Sequence, residues 1–190
     1  MLTNVFTLAL LAATSISASP TPNLPRDTLQ PWELQRLYTH SPSGRPGNDP
    51  HLTLNATIHD PNTIPLRQTS TGTAVFPPST ANCSAQWLTK DDVPWNLEQP
   101  CTSIDYGVWT MKMVRPEGGD GEFGATEDFG LEFKLVDDVR VLNEQFTKTF
   151  TGSGTFKVGD NLSGQCGGSG VCNWGLTVKP YLVRQTEQTE

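Results

Sequence analysis

Hydrophobic residues occupy every second position between residues 128 and 137, namely Phe129, Leu131, Phe133 and Leu135. Because successive side chains of a β-strand point to opposite faces, this spacing predicts a strand with one apolar face. On a helix the same residues would scatter around the axis. A second alternating run covers residues 139–142, so the two runs predict a β-hairpin with Asp137 and Asp138 near its turn.

The same period-two pattern recurs along the chain, and no segment has the pattern of a long amphipathic helix. Trp32 and Leu34 are predicted to point inward, as are Trp109, Met111 and Met113. Strands are predicted at residues 32–38, 51–60, 73–76, 82–87, 106–115, 145–151, 154–158 and 174–178. About eight to nine strands with short turns predict an all-β fold, either an antiparallel β-sandwich or a barrel. Periodicity does not choose between the two.

The length of 190 residues is that of one domain, which we place at residues 32–183. The apolar run at residues 5–13 is too short to span a bilayer, and small residues follow it, which is typical of a signal peptide over residues 1–18. Residues 19–31 are rich in proline and predict a loose leader. Residues 184–190 form a polar tail that we expect to fray.

Cysteines and sequons agree with export. Four cysteines follow the predicted signal peptide, and pairing of Cys83 with Cys101 and of Cys166 with Cys172 is favoured among the three connectivities. The second pair brackets a short flexible segment rich in glycine. Three sequons predict N-glycosylation at Asn55, Asn82 and Asn161. Together these features predict a secreted glycoprotein with disulfide bonds that reinforce the fold.

The net charge of -7 argues against nucleic acid or an anionic membrane as the partner, since both repel a negative surface. Glycine (17) and proline (15) are frequent, which suits many short strands. No segment after the signal peptide is long enough for a membrane span, so none is predicted.

Candidate chemistry is sparse. His40, His51 and His59 lack the spacing of a metal site, and we predict neither a metal nor another cofactor. Acidic residues interleaved with glycine would suit calcium, but a solvated loop is the favoured interpretation. These residues are Glu117, Asp120, Glu122, Glu127 and Asp128. Glu132 with Glu144 is the carboxylate pair considered for glycoside hydrolysis. Trp95, in a loop flanked by prolines, is the tryptophan expected to be exposed.

Together with the predicted signal peptide, three segments resemble small secreted proteins of filamentous ascomycete fungi: residues 41–47, 76–83 and 166–175. That resemblance covers most of the predicted mature chain and implies an effector-like protein. A looser similarity is to the Alternaria major-allergen-like family of β-barrel proteins with disulfides. No motif of that family matches residue by residue, so no site residues are transferred.

The leading hypothesis is a secreted, non-enzymatic effector or elicitor-like protein associated with virulence. It would bind a host apoplastic protein or receptor, or a cell-wall glycan, through loops on a rigid scaffold. The first alternative is an extracellular glycan-binding or wall-associated protein, and the second is a carboxylate-dependent hydrolase. We assign no catalytic residue and no ligand-binding residue from the sequence.

Overall fold

The computed structural model describes residues 29–116 and 124–189. The predicted signal peptide, most of the predicted leader and three residues of the acidic segment (Glu117, Asp120 and Glu122) lie outside these ranges. The described residues form thirteen strands and no helix. The strands are β1 (Trp32–Ser41), β2 (His51–Asp60), β3 (Ile64–Thr69), β4 (Gly72–Phe76), β5 (Ser79–Leu88), β6 (Glu98–Pro100), β7 (Gly107–Val114), β8 (Asp128–Val141), β9 (Glu144–Lys157), β10 (Leu162–Cys166), β11 (Cys172–Leu176), β12 (Tyr181–Val183) and β13 (Gln185–Gln188).

Two antiparallel sheets carry most of the fold. One has six strands in the order β10-β11-β1-β2-β5, with β12 also paired to β1, and the other has five in the order β13-β9-β8-β7-β6. A third, two-stranded sheet consists of β3 and β4. The all-β prediction is therefore confirmed. The sheets stay separate rather than closing into a barrel, which resolves the architecture as a sandwich.

The core fills the space between the two large sheets. The five-stranded sheet contributes the alternating residues of β8 together with Trp109, Met111 and Met113, and the six-stranded sheet contributes Trp32 and Leu34, as predicted. Trp32 and Trp109 meet edge to face across the sandwich, with ring centroids 4.6 Å apart.

The predicted turn at Asp137 and Asp138 is wrong. Strand β8 continues through both aspartates to Val141, and the turn comes at residues 142–143. Leu142 occupies the left-handed region there, with φ of 58°. The carboxyl groups suggested a turn because aspartate is common in turns. Instead, Asp137 keeps the inward position that the alternation of β8 assigns to it and is only 4% exposed.

Two further expectations about strands are wrong. Residues 145–151 and 154–158 are not two separate strands, because β9 is one continuous strand paired with β8 along its whole length. The tail does not fray at residues 185–188, since β13 pairs with residues 149–152 of β9. A polar edge strand is stabilised through its backbone, which the hydrophobic pattern does not reveal. Strands such as β3 and β6 also raise the total above the predicted eight to nine.

The disulfides form as favoured from the sequence: Cys83 with Cys101, and Cys166 with Cys172. Cys83 is buried in the core, whereas Cys166 lies exposed at the turn between β10 and β11. Two disulfides fit a protein that folds in an oxidising compartment. No helix in the described ranges is long and apolar enough to cross a membrane.

We expect replacement of Cys83 and Cys101 by serine to destabilise the protein more than replacement of Cys166 and Cys172. The bridges span 18 and 6 residues, and loop-closure entropy gives about 3 and about 2 kcal/mol respectively. The buried Cys83 adds a packing loss to the first value. Urea unfolding without reductant measures both, and an equal or reversed order would contradict this ranking.

Candidate functional site

The predicted glycosylation sites fall into two groups. Asn55 and Asn82 are exposed on the outer face of the six-stranded sheet, and their sequons lie directly opposite each other in β2 and β5. Asn55 is opposite Ser84, and Thr57 is opposite Asn82, with its hydroxyl donating to Asn82 Oδ1 at 2.8 Å. Glycans at both asparagines would cover one patch of this face.

The third sequon is placed differently. Asn161 is half-buried in the turn after β9. Its Nδ2 donates to Thr155 O at 2.8 Å, and its Oδ1 accepts from Lys157 N at 3.0 Å. The asparagine side chain therefore holds this turn together in the unmodified chain. Glycosylation at all three asparagines remains a prediction.

The structure does not bring the candidate carboxylate pair together. Glu132 forms an ion pair with Lys112 in the middle of the five-stranded sheet. Glu144 lies beyond the far end of β8 and pairs with Arg67 at 2.5 Å. Glu144 is opposite Val141, and Val141 lies nine positions after Glu132 on β8. That spacing corresponds to about 30 Å of extended strand. Glu132 and Glu144 therefore do not form the hydrolytic pair that was considered from the sequence.

Among the described residues, none of the three histidines belongs to a group of side chains close enough to share a metal ion. His40 Nδ1 bonds Asn173 Oδ1 at 2.8 Å, and His59 Nδ1 lies 2.9 Å from Thr80 Oγ1. The hydrogen bonds that His51 makes through its ring and backbone lower the pKa of Asp49.

The acidic segment shows no calcium site in its described part. Among the described residues, one group of acid, histidine and cysteine side chains is close enough to share a metal ion, namely Glu127 with Cys166 and Cys172. Both sulfurs of that group are bound in the disulfide, so they do not offer thiolate ligands. Asp128 lies 3.5 Å from Lys157 Nζ as an ion pair.

A polar groove covers the outer face of the five-stranded sheet, and we call it the outer groove. Its residues form rows that run across the strands. One row is Thr110, Lys134, Thr151 and Thr186, on β7, β8, β9 and β13. The next row is Glu98, Lys112, Glu132 and Ser153, on β6, β7, β8 and β9. Hydroxyl groups and charges of both signs thus stand side by side.

The outer groove is long rather than deep. Two cavities, of about 480 and about 920 Å³, share Glu132 and Ser153 and together extend from the row of Lys134 to the row of Asp128. Lys134 lies six positions after Asp128 on β8, so the groove extends over about 20 Å of strand. Gly130, between them, is buried and has no room for a side chain, because a Cβ there would lie 2.5 Å from Val114 Cγ2. The groove therefore has the shape that an extended polymer requires.

Trp95 is half-buried beside this groove rather than exposed as predicted. It packs against the core, and the Arg115 guanidinium lies 5.6 Å from its ring centroid. Arg115 itself lines the larger cavity. The ring thus positions a cation at the groove wall through a cation–π contact, and it does not present a flat face to a ligand.

A second, separate cavity of about 510 Å³ opens at the end of the sandwich, and we call it the Asp137 cavity. Its wall combines a buried acid, an aromatic ring, two prolines and several hydroxyls. The lining residues are Pro77, Pro78, Ser79, Thr80, Ser103, Ile104, Asp105, Tyr106 and Asp137. Trp109 Nε1 donates to Ser79 Oγ at 3.0 Å and joins the two sheets beside the cavity.

Burial raises the pKa of Asp137 to about 7, and the negative charge of Asp60 on the facing sheet adds to the effect. Asp60 is itself buried, but Asn62 donates to its Oδ1 from the backbone at 2.9 Å and also from the side-chain amide. Among the described residues, none forms a hydrogen bond or ion pair with the Asp137 carboxyl. A buried acid in a cavity with a perturbed pKa is a functional-site candidate.

Sequence reasoning missed both sites. The outer groove depends on which residues of five strands stand opposite each other, and nothing local specifies that register. Asp137 had a detectable signal, because it continues the period-two run of Phe133 and Leu135. Aspartate is common in turns, however, and this residue type favoured a turn prediction.

Comparison of the chain with protein-family models, with curated proteins and with solved structures finds no match in any of the three. The function must therefore be inferred from the two sites alone.

Proposed function

We propose that this is a secreted, effector-like binding protein that acts without catalysis and recognises a neutral cell-wall glycan in the outer groove. The observation that carries the proposal is the continuity of two cavities along β8 and β9, with hydroxyl and charged side chains in rows across them. An extended polar groove matches a linear polymer better than a compact small molecule.

The chemistry of the groove supports a sugar polymer. Each sugar hydroxyl both donates and accepts hydrogen bonds, so a glycan needs both kinds of partner. Thr110, Thr151 and Ser153 supply hydroxyls that do both, Lys134 supplies a donor, and Glu132 supplies acceptors. Lys112 pairs with Glu132, and the two cavities together are lined by five cationic and four acidic side chains, so the groove is close to neutral. A neutral polymer also avoids the repulsion that a net charge of -7 exerts on a polyanion.

The opposite face of the sandwich agrees with this assignment. The two exposed sequons, at Asn55 and Asn82, lie on the outer face of the six-stranded sheet. Glycans attached there would occupy that face and leave the five-stranded sheet open. The two faces would then have separate roles. The face of the six-stranded sheet would be covered by attached glycans, and the face of the five-stranded sheet would bind a ligand.

Replacing Ser153 by tryptophan is expected to abolish polymer binding. Ser153 is exposed at the point that both cavities share, so an indole there fills the groove without disturbing the core. Pull-down on insoluble β-glucan, cellulose and chitin should show retention of the wild type and at least about tenfold weaker binding of Ser153→Trp, equivalent to about 1.4 kcal/mol.

The matched control is Gln86→Trp, which adds the same ring at an exposed position of β5 on the other sheet. It should bind like the wild type. Failure of the wild type to bind any of the polymers, or equal binding by Ser153→Trp, would contradict the proposal. Leaf infiltration with the same three proteins tests the effector-like role, and Ser153→Trp should lose any response that the wild type elicits.

A further inference from the structure

The Asp137 cavity is built around a carboxyl group that has no partner among the described residues. Asp137 is 4% exposed and lies in the cavity wall. In the part of the chain that the structure describes, its side chain has neither a hydrogen bond nor an ion pair. The carboxyl oxygens are not sealed in the core, so they open into the cavity, where water or a ligand can supply the partner.

Charged groups near Asp137 come from β2, from β9 and from the loop before β7. Asp60 faces it from β2, and Asp105 approaches from the loop before β7. Lys148 stands opposite Asp137 in β9, but its Nζ pairs with Glu187 at 2.6 Å. His59 lies on the outer face of its strand and bonds Thr80. The nine described residues that line the cavity include two aspartates and no Lys, Arg or His.

Because the cavity lining contains acids and no bases, it favours a cationic ligand. The geometry favours an organic cation over a metal ion. A divalent metal ion needs several oxygen ligands within bonding distance. Among the described residues, Asp137 belongs to no group of three acid, histidine or cysteine ligands close enough to share a metal. An ammonium group instead needs one carboxylate and a few acceptors, and an aromatic face stabilises it further. Tyr106, 46% exposed at the cavity mouth, offers such a face.

We propose that the Asp137 cavity binds an amino sugar through its free ammonium group. The carboxylate of Asp137 would pair with the ammonium, the hydroxyls of Ser79 and Ser103 would bond the sugar hydroxyls, and Tyr106 would pack on the ring. Two hydroxyl side chains suit a polyhydroxylated ring better than the aliphatic stem of a lysine side chain. The volume of about 510 Å³ lies in the range of small-molecule sites.

Binding is coupled to a proton. Because the pKa of Asp137 is raised to about 7, the acid is mostly protonated at pH 6 in the free protein. Pairing with an ammonium group favours the carboxylate, so binding at pH 6 releases close to one proton, about 0.9 for a pKa of 7. A carboxyl group with a purely structural role would release none.

The test is calorimetric titration of the purified full chain at pH 6 with glucosamine, in two buffers of different ionisation enthalpy. N-acetylglucosamine is the neutral control, and Nα-acetyl-lysine amide is the peptide-type amine. We expect glucosamine to bind with proton release and N-acetylglucosamine to bind at least about tenfold more weakly, because a charge-assisted pair is lost.

Two neighbouring variants complete the design. Asp137→Asn should lose at least about tenfold in affinity together with the proton release, since it removes the charge and keeps the shape. Asp138→Asn changes the exposed neighbouring acid and should bind like the wild type. Ser153→Trp should also keep glucosamine binding, which separates this cavity from the outer groove.

Four outcomes would overturn the proposal: no binding of glucosamine up to its solubility limit, equal binding of N-acetylglucosamine, unchanged binding by Asp137→Asn, or cleavage of glucosamine oligomers, which would indicate a hydrolase. Tighter binding of the lysine derivative than of glucosamine would overturn the amino-sugar assignment in favour of a peptide.

Discussion

Asp137→Asn is expected to stabilise the protein at pH 8 by up to about 4 kcal/mol. This free energy corresponds to the rise of the Asp137 pKa from the ordinary 3.8 to about 7 in the folded state. Above pH 7 the folded protein must hold a buried carboxylate near Asp60, whereas the unfolded chain exposes it to water. The amide of asparagine has nearly the same shape and no charge, so it removes that penalty.

The sign of the pH dependence follows from proton binding. Between about pH 4 and pH 7 the folded state holds the proton of Asp137 and the unfolded state has released it, so stability falls as the pH rises through this window. Below pH 4 both states are protonated and the penalty vanishes. Wild type and Asp137→Asn should therefore have similar stabilities at pH 4 and diverge progressively up to pH 8.

Urea unfolding at pH 4, 6 and 8 measures this difference. Asp138→Asn is the matched control, because Asp138 is exposed and accepts hydrogen bonds from Gln145 and Thr147 on the outer face. It should show no such gain at pH 8. A constant difference between wild type and Asp137→Asn at all three pH values would contradict the raised pKa. The same variant thus separates folding from ligand binding, since it should be the more stable protein and the weaker binder.

Much of the fold could be predicted because alternation acts within one strand. Phe129 to Leu135 on β8, and Trp109 to Met113 on β7, point inward as their spacing requires. The same logic placed Asn55 on the outer face of β2. The favoured cysteine pairing also formed, helped for Cys166 and Cys172 by the short span between them.

The rest could not be predicted, for two physical reasons. Strand β13 has no apolar pattern, since it gains its place by backbone pairing with β9 at the sheet edge. The rows of the outer groove join residues up to about 75 positions apart, such as Thr110 and Thr186, and only long-range register places them together. Candidate sites on sheet faces are therefore visible only in the tertiary structure. The pair Glu132 and Glu144, which was chosen by residue type, is far apart in it.

Trp109→Ala is expected to destabilise the protein by about 3–5 kcal/mol, the range for removal of a large buried aromatic side chain. Trp109 is fully buried at the centre of the sandwich and contacts Trp32 edge to face. It also donates the hydrogen bond to Ser79 Oγ that links the two sheets beside the Asp137 cavity. Trp32→Ala removes the other ring of the same contact and should fall in the same range.

Phenylalanine variants separate the hydrogen bond from the ring packing. Trp109→Phe loses the donor to Ser79, a net loss of about 1 kcal/mol in addition to the smaller ring. Trp32→Phe removes an indole nitrogen that is buried without a partner in the described ranges, so it relieves a desolvation penalty of about 1–3 kcal/mol. We therefore expect Trp32→Phe to be the milder substitution. Urea unfolding of the four variants checks the order, and equal costs for the two phenylalanine variants would contradict it.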